Sequence, residues 1–224
     1  MAVAFRSSTS AGVNTGSGSW TITVPSGVVD GDILVLAAQS GNFDSFSITG
    51  WTMIEGSGSH GSYLLYRIAA SEPASYTLNW NLFAENGSWM CVAYSGVKNA
   101  APDGHSQNEN AGGGHPATPY TATSISPSGS TDTLVTIFTL MNDASGLSFA
   151  DPTTSETKRA LLVTNVAGVN ANTIIACDET LSSSGATGTR GNGWASNPAG
   201  GHVCTGFMFA LQPAPPVANF IITD

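Results

Sequence analysis

Apolar and polar residues alternate along this chain in short runs, and turn residues separate the runs. Thr21–Val24 alternates, and Gly27–Gly31 reads as a turn. Ile33–Ala38 is apolar almost throughout, which predicts a strand covered on both faces. Trp51–Ile54 follows a turn at Gly50. Tyr63–Ile68 sets Tyr63, Leu65 and Arg67 on one face against Leu64, Tyr66 and Ile68 on the other. Ser75–Trp80 sets Tyr76, Leu78 and Trp80 against polar neighbours, and Trp89–Tyr94 closes the first half. Further strands are expected over Leu134–Leu140, Ala160–Val166, Thr173–Cys177 and Val203–Leu211. No window of a dozen residues carries a clean helical period free of Gly, Pro and β-branched residues.

The pattern runs twice. Pro25-Ser26-Gly27 and Pro127-Ser128-Gly129 each precede an acidic residue and an apolar run, and Cys91 and Cys204 fall at matching places in the closing strands. A spacing of roughly 100 residues is too long for a solenoid repeat and suits two half-sandwiches. The expected fold is therefore all-β: a jelly-roll-like antiparallel β-sandwich over residues 1–213. Its pseudo-repeats cover about 15–98 and 119–213, joined by a long connecting loop over 99–118 that is rich in Gly, Pro, Asn and His. One sandwich or two in tandem both fit the pattern. A second polar, Gly-rich loop is expected over Ser182–Gly201, around Trp194. Residues 214–224 read as a Pro-rich spacer and a strand-like arm in which Val217, Phe220, Ile221 and Ile222 are candidate partner-binding residues. An ordinary last strand packed on its own sheet is the alternative.

Composition narrows the function classes. Only 9% of the 224 residues are charged, while 41% are hydrophobic and come in ordered alternation, so the chain reads as folded with a Ser/Thr/Asn surface. The net charge is −9 with six basic residues, which excludes the basic footprint a nucleic-acid partner requires. No run is long enough for a membrane span, and no secretory leader is expected at Met1–Ser10. The three cysteines lie in or at the end of apolar runs and read as buried thiols, with one disulfide as the alternative. No cofactor is expected.

Candidate chemistry is sparse. Each of the four histidines, His60, His105, His115 and His202, stands beside a glycine, and no nucleophile elbow accompanies them. Most carboxylates sit at turns, where Asp caps backbone groups. Asp103–Asn110 is rich in oxygen donors but lacks EF-hand spacing, so calcium binding and a solvated loop both remain open. For glycan contact the candidates are Trp194, His105 and His115. The other four tryptophans stand in or beside strands and read as core.

Several stretches carry a resemblance: Thr21–Pro25 with Val29–Leu34, Gly50-Trp51-Thr52, Tyr66–Ala69, Ser71–Thr77, Tyr94–Val97, Thr131–Leu134, Gly185–Arg190 and Phe209–Pro213. Together they resemble a β-sandwich module of bacteriophage tail, fibre and other virion proteins and of some bacterial surface proteins. The resemblance implies a non-enzymatic structural role, as a capsid decoration protein or a head or tail fibre subunit, and no catalytic residues. Its implied partners are other virion proteins, and a homo-oligomer, for instance a trimer, would suit that role. Assembly would take place in the host cytoplasm, with the chain exposed on the virion. Val217–Phe220 is similar to the opening of immunoglobulin-like modules that follow such domains. With only that opening present, the arm is expected to serve assembly. A glycan-binding adhesin, or a receptor-binding module for a host-surface glycan, is the alternative.

Overall fold

The computed structural model describes residues 1–13, 18–40, 46–57, 61–80, 87–110, 120–142, 148–152, 155–164, 171–192 and 203–216. Among them every regular element is a strand. The first half gives β1 (Ala4–Val13), β2 (Ser19–Thr23), β3 (Ile33–Ser40), β4 (Phe46–Ile48), β5 (Thr52–Ser57), β6 (Ser62–Ile68), β7 (Ser75–Trp80) and β8 (Gly87–Ser95). The second gives β9 (His105–Asn110), β10 (Tyr120–Ala122), β11 (Thr133–Asn142), β12 (Thr157–Val163), β13 (Ala171–Thr180), β14 (Arg190–Asn192) and β15 (Val203–Leu211).

The strands form antiparallel sheets that pack as a sandwich. One five-stranded sheet runs β1-β8-β3-β6-β5, and a three-stranded sheet runs β2-β7-β4. The other five-stranded sheet, read from its β9 edge, runs β9-β15-β11-β13-β12, and β10 pairs with β14. Three apolar clusters glue these sheets into four layers. The outer cluster of the first half joins Trp20, Ile22, Leu78 and Trp80 to Leu34, Leu36, Trp89 and Cys91. The middle cluster joins the two five-stranded sheets through Ile33, Val35, Met90 and Val92 on one side and Val135, Ile137, Ile174, Phe207 and Phe209 on the other. The outer cluster of the second half joins Tyr120 and Ala122 to Phe138, Leu140, Ile175 and Cys204. The apolar run of β3 is explained by this layering, since alternate residues enter two different clusters.

Several strands depart from the sequence reading. β1, β4 and β10 were not expected, β9 lies inside the stretch read as connecting loop 99–118, and β14 lies inside the polar loop read over Ser182–Gly201. β1 and β9 are edge strands rich in polar residues, so neither shows a sustained apolar alternation. Their polar side chains instead bond carbonyls of the adjacent outer sheet. Ser7 Oγ donates to Ser26 O (2.6 Å) and Thr9 Oγ1 to Thr23 O (2.5 Å). Ser106 Oγ donates to Thr123 O (2.5 Å) and Asn108 Nδ2 to Thr121 O (2.7 Å). The strand expected over Ala160–Val166 begins at Thr157 and ends at Val163. There the Thr164 hydroxyl donates to Asn172 O (3.0 Å) and accepts from Asn172 N (2.9 Å), which closes the ladder.

The body has two distinct ends. At one, called the tip, buried Gln39 donates to Asn172 (3.4 Å) across the two central sheets. The connections between Val13 and Gly18, Ser40 and Phe46, Trp80 and Gly87, Asn110 and Tyr120, Thr164 and Ala171, and Asn192 and Val203 start and finish there. The other end, the base, carries connections of comparable length, between Thr23 and Ile33, Ser95 and His105, Ala122 and Thr133, and Thr180 and Arg190. Residues Pro213–Ala214 are tied down at the base: Pro213 bridges to Val97, and Ala214 N donates to Gly96 O (2.8 Å). The Met1 ammonium donates to Ala214 O (3.1 Å) at the same corner.

Candidate functional site

The four arginines and Lys158 are each paired with a carboxylate. Arg6 grips Asp32 through Nε (2.6 Å) and Nη2 (3.0 Å). Arg67 pairs with Glu72 (2.8 Å), and Lys158 pairs with Asp151. Arg159 Nε donates to both oxygens of Asp178 (2.8 and 2.9 Å), and Arg190 Nε donates to Glu179 (2.6 Å). The sixth basic residue, Lys98, donates to the Gln212 amide oxygen (3.0 Å). With every cation already engaged, the surface offers no stripe of positive charge to a polyanion.

The cysteines are equally occupied. Cys91, Cys177 and Cys204 are free thiols and buried. Burial pushes all three thiols well above the ordinary range, with the Glu72 charge adding to Cys91 and the Glu156 charge to Cys177. Such thiols stay protonated and serve as small hydrophobes rather than nucleophiles.

His105 opens β9 at the base end, and its Nδ1 lies 2.7 Å from Glu55 of β5. The contact ties together neighbouring edge strands of the two central sheets. His115 and Trp194, together with the arm residues Val217, Phe220, Ile221 and Ile222, lie outside the described residues, as do His60 and His202. The connections that hold His115 and Trp194 leave the body at the tip, so the length of β9 separates His105 from both points of departure. Among the described side chains of residues 103–109 the oxygen donors do not converge, because alternate residues of a strand face opposite ways. Asp103 accepts from Ser128 N and Oγ (2.7 Å each), whereas Asn108 bonds to β10. No group of three His, Cys, Asp or Glu side chains suits a metal among the described residues.

A polar groove of about 540 Å³ lies near the base of the second half. Ser155, Thr157 and Arg159 form one wall, Asp178 and Glu179 of β13 the floor, and the turn 181–187 with Arg190 the other wall. Glu179 also accepts from the Ser155 hydroxyl, and Arg190 Nη1 donates to Thr187 O (2.6 Å). Burial raises the Asp178 carboxyl above the usual range, and the Arg159 pair works against that rise. Floor and wall are thus preset by ion pairs, and exposed Ser182 and Ser183 line the rim. The groove joins two stretches, 155–159 and 178–190, and nothing in either stretch alone announces it. Compared with protein-family models, with curated proteins and with solved structures, the chain matches none.

Proposed function

We propose that the chain is a non-enzymatic structural component of a bacteriophage virion, a capsid decoration protein or a head or tail fibre subunit. The observation that carries this reading is the polarity of the body. Met1 and Ala214 meet at one corner of the base, while the connections that hold His115 and Trp194 depart from the opposite end. A module built this way is held from its base and presents its tip. The matching strand order of the two central sheets supports descent from one duplicated sandwich.

Assembly with virion partners and with further copies of the chain would use the arm. Beyond Pro216, Val217, Phe220, Ile221 and Ile222 supply an apolar strand for addition to a neighbour's sheet edge. The acceptor is β12, an edge strand whose run Ala160–Val163 bears no charge and leaves Leu161 and Val163 exposed. Deleting residues 217–224 leaves the tie at Pro213–Ala214 intact, so the body keeps its thermal midpoint while the chain loses its oligomeric state and its place on particles. Density-gradient sedimentation of lysates checks this. The truncated chain is expected at the top of the gradient and the full chain with the particles. Equal co-sedimentation of both would remove the arm from the account.

A second reading, a module that binds a host-surface glycan, is favoured by the groove, whose fixed donors and acceptors suit sugar hydroxyls. Filling it with Ser183→Trp is expected to abolish binding on a glycan array, whereas loss on Trp194→Ala alone would move the contact to the tip.

A further inference from the structure

Asp32 and Asp132 stand in matching places, and their neutralisation differs. Each directly precedes a central strand, β3 or β11. Asp32 Oδ2 accepts from Val29 N (2.9 Å), and Asp132 accepts from Gly129 N, in each case three residues back. The carbonyl of Asp32 is taken by Ala69 N (2.8 Å) and that of Asp132 by Leu181 N (2.8 Å), each just beyond the neighbouring strand. Both residues are nearly inaccessible to solvent, Asp32 at 2% and Asp132 at 1%. A buried carboxylate needs a counter-charge or a proton. Asp32 has Arg6. Asp132 instead meets a second carboxyl, Asp103, within hydrogen-bonding reach, and its own Oδ2 has no donor among the described groups.

We propose that Asp103 and Asp132 share one proton, and that this proton latches the exit segment Gln212–Ala214 to the base. The latch is continuous. Asp103 Oδ2 accepts from Ser128 N, from Ser128 Oγ and from Gln212 Nε2 (3.0 Å). Gln212 also donates to Ser128 Oγ (3.0 Å), accepts from Lys98, and takes Lys98 N on its carbonyl (2.8 Å). Ala214 follows two residues on, held by Gly96 and by the Met1 ammonium. The charged groups facing the pair are therefore Lys98 and, at the far side of the segment, Met1.

The direction of the pH response follows from the two partners. Asp132 is raised, first by burial and then by Asp103, so its stabilisation is full at acid pH and is lost as pH rises through its folded-state value. Asp103 is lowered, chiefly by its bonds to Ser128, so it is the acceptor of the shared proton, and its own contribution runs the other way, lost as pH falls through its folded-state value. Once the proton leaves, two carboxylates face each other with one lysine nearby, and the segment loosens. Asp32 with Arg6 keeps its pairing at neutral pH, so the response is confined to the second half.

The test is a pH series on the full chain, from acid to neutral, comparing wild type, Asp132→Asn and Asp103→Arg. Asn is isosteric with the protonated carboxyl and donates to Asp103. Asp103→Arg installs the pairing that Arg6 gives Asp32. Wild type is expected to lose about 3 °C or more of thermal midpoint between acid and neutral pH. The protection of the Ala214 amide against hydrogen exchange should fall about tenfold over the same range. Asp132→Asn should be flat in Ala214 exchange and lose less midpoint than wild type, the remainder belonging to the raised Asp178, and Asp103→Arg should be most stable at neutral pH. Parallel pH profiles for wild type and Asp132→Asn overturn the proposal. So does a wild-type midpoint that calcium raises at neutral pH and chelator lowers, which would make the pair a cation site.

Discussion

Phe207→Ala is expected to unfold both halves in one transition and to cost about 3–5 kcal/mol. Phe207 is fully buried in the middle cluster, where β15 of the second half meets Val35, Met90 and Val92 of the first. Truncation opens a cavity between two five-stranded sheets that neither half can close alone. The tryptophans make the test specific. Trp20, Trp80 and Trp89 lie in the outer cluster of the first half, a layer away from the substitution. In a Trp194→Phe background their fluorescence reports the first half alone, while far-ultraviolet circular dichroism reports all the strands. Coincident denaturation curves, both shifted to lower denaturant, are expected from a shared core. A fluorescence transition left at its wild-type midpoint would mean that the halves fold separately.

Gly87→Ala is expected to cost about 3 kcal/mol or more, a large effect for one methyl group. Gly87 opens β8 at the tip, and a Cβ there would sit 2.1 Å from the Trp20 ring and 2.3 Å from the Gln39 carbonyl oxygen. The carbonyl belongs to the central strand β3 and cannot swing aside. The ring is held edge-on against Trp80 with centroids 4.7 Å apart. Gly18→Ala is the control, since its nearest neighbour would be the Trp80 carbonyl at 3.7 Å, and a change within about 0.5 kcal/mol is expected. Urea denaturation of both variants decides the point. Equal midpoints for the two would show that β3 and Trp20 yield more easily than their packing implies.

The strands legible in the sequence are those with a buried face. β3, β6, β8, β11, β13 and β15 carry apolar runs because each contributes to two clusters or to one cluster from a central position. The turn before β3 was readable from Val29-Asp30-Gly31, and Gly31 adopts a φ of 89° there. β1 and β9 were opaque for a physical reason. They are edges whose side chains bond to neighbouring carbonyls, and Ser, Thr and Asn doing that work look the same in sequence as loop residues. Layer order was opaque as well, because alternation says that a strand has two faces and not what covers each.

Site residues were less legible than strands. Asp103 read as one oxygen donor among several in a loop, and only the fold sets it beside Asp132, Ser128 and Gln212. Asp132 read as a turn residue, and its amide contact to Gly129 agrees with that role. Its burial, which makes its neutralisation a problem, follows from packing. The groove needs Arg159 and Arg190 on opposite walls, which thirty residues of intervening chain conceal.

Electron microscopy of bacteriophage particles from cells that express the full chain tests the structural reading most directly. Regular extra density is expected on capsid facets or at the tail, attached by the corner where Met1 and Ala214 meet and with the tip pointing outward. Particles without that density, together with a free, monodisperse monomer in the supernatant, would contradict the account.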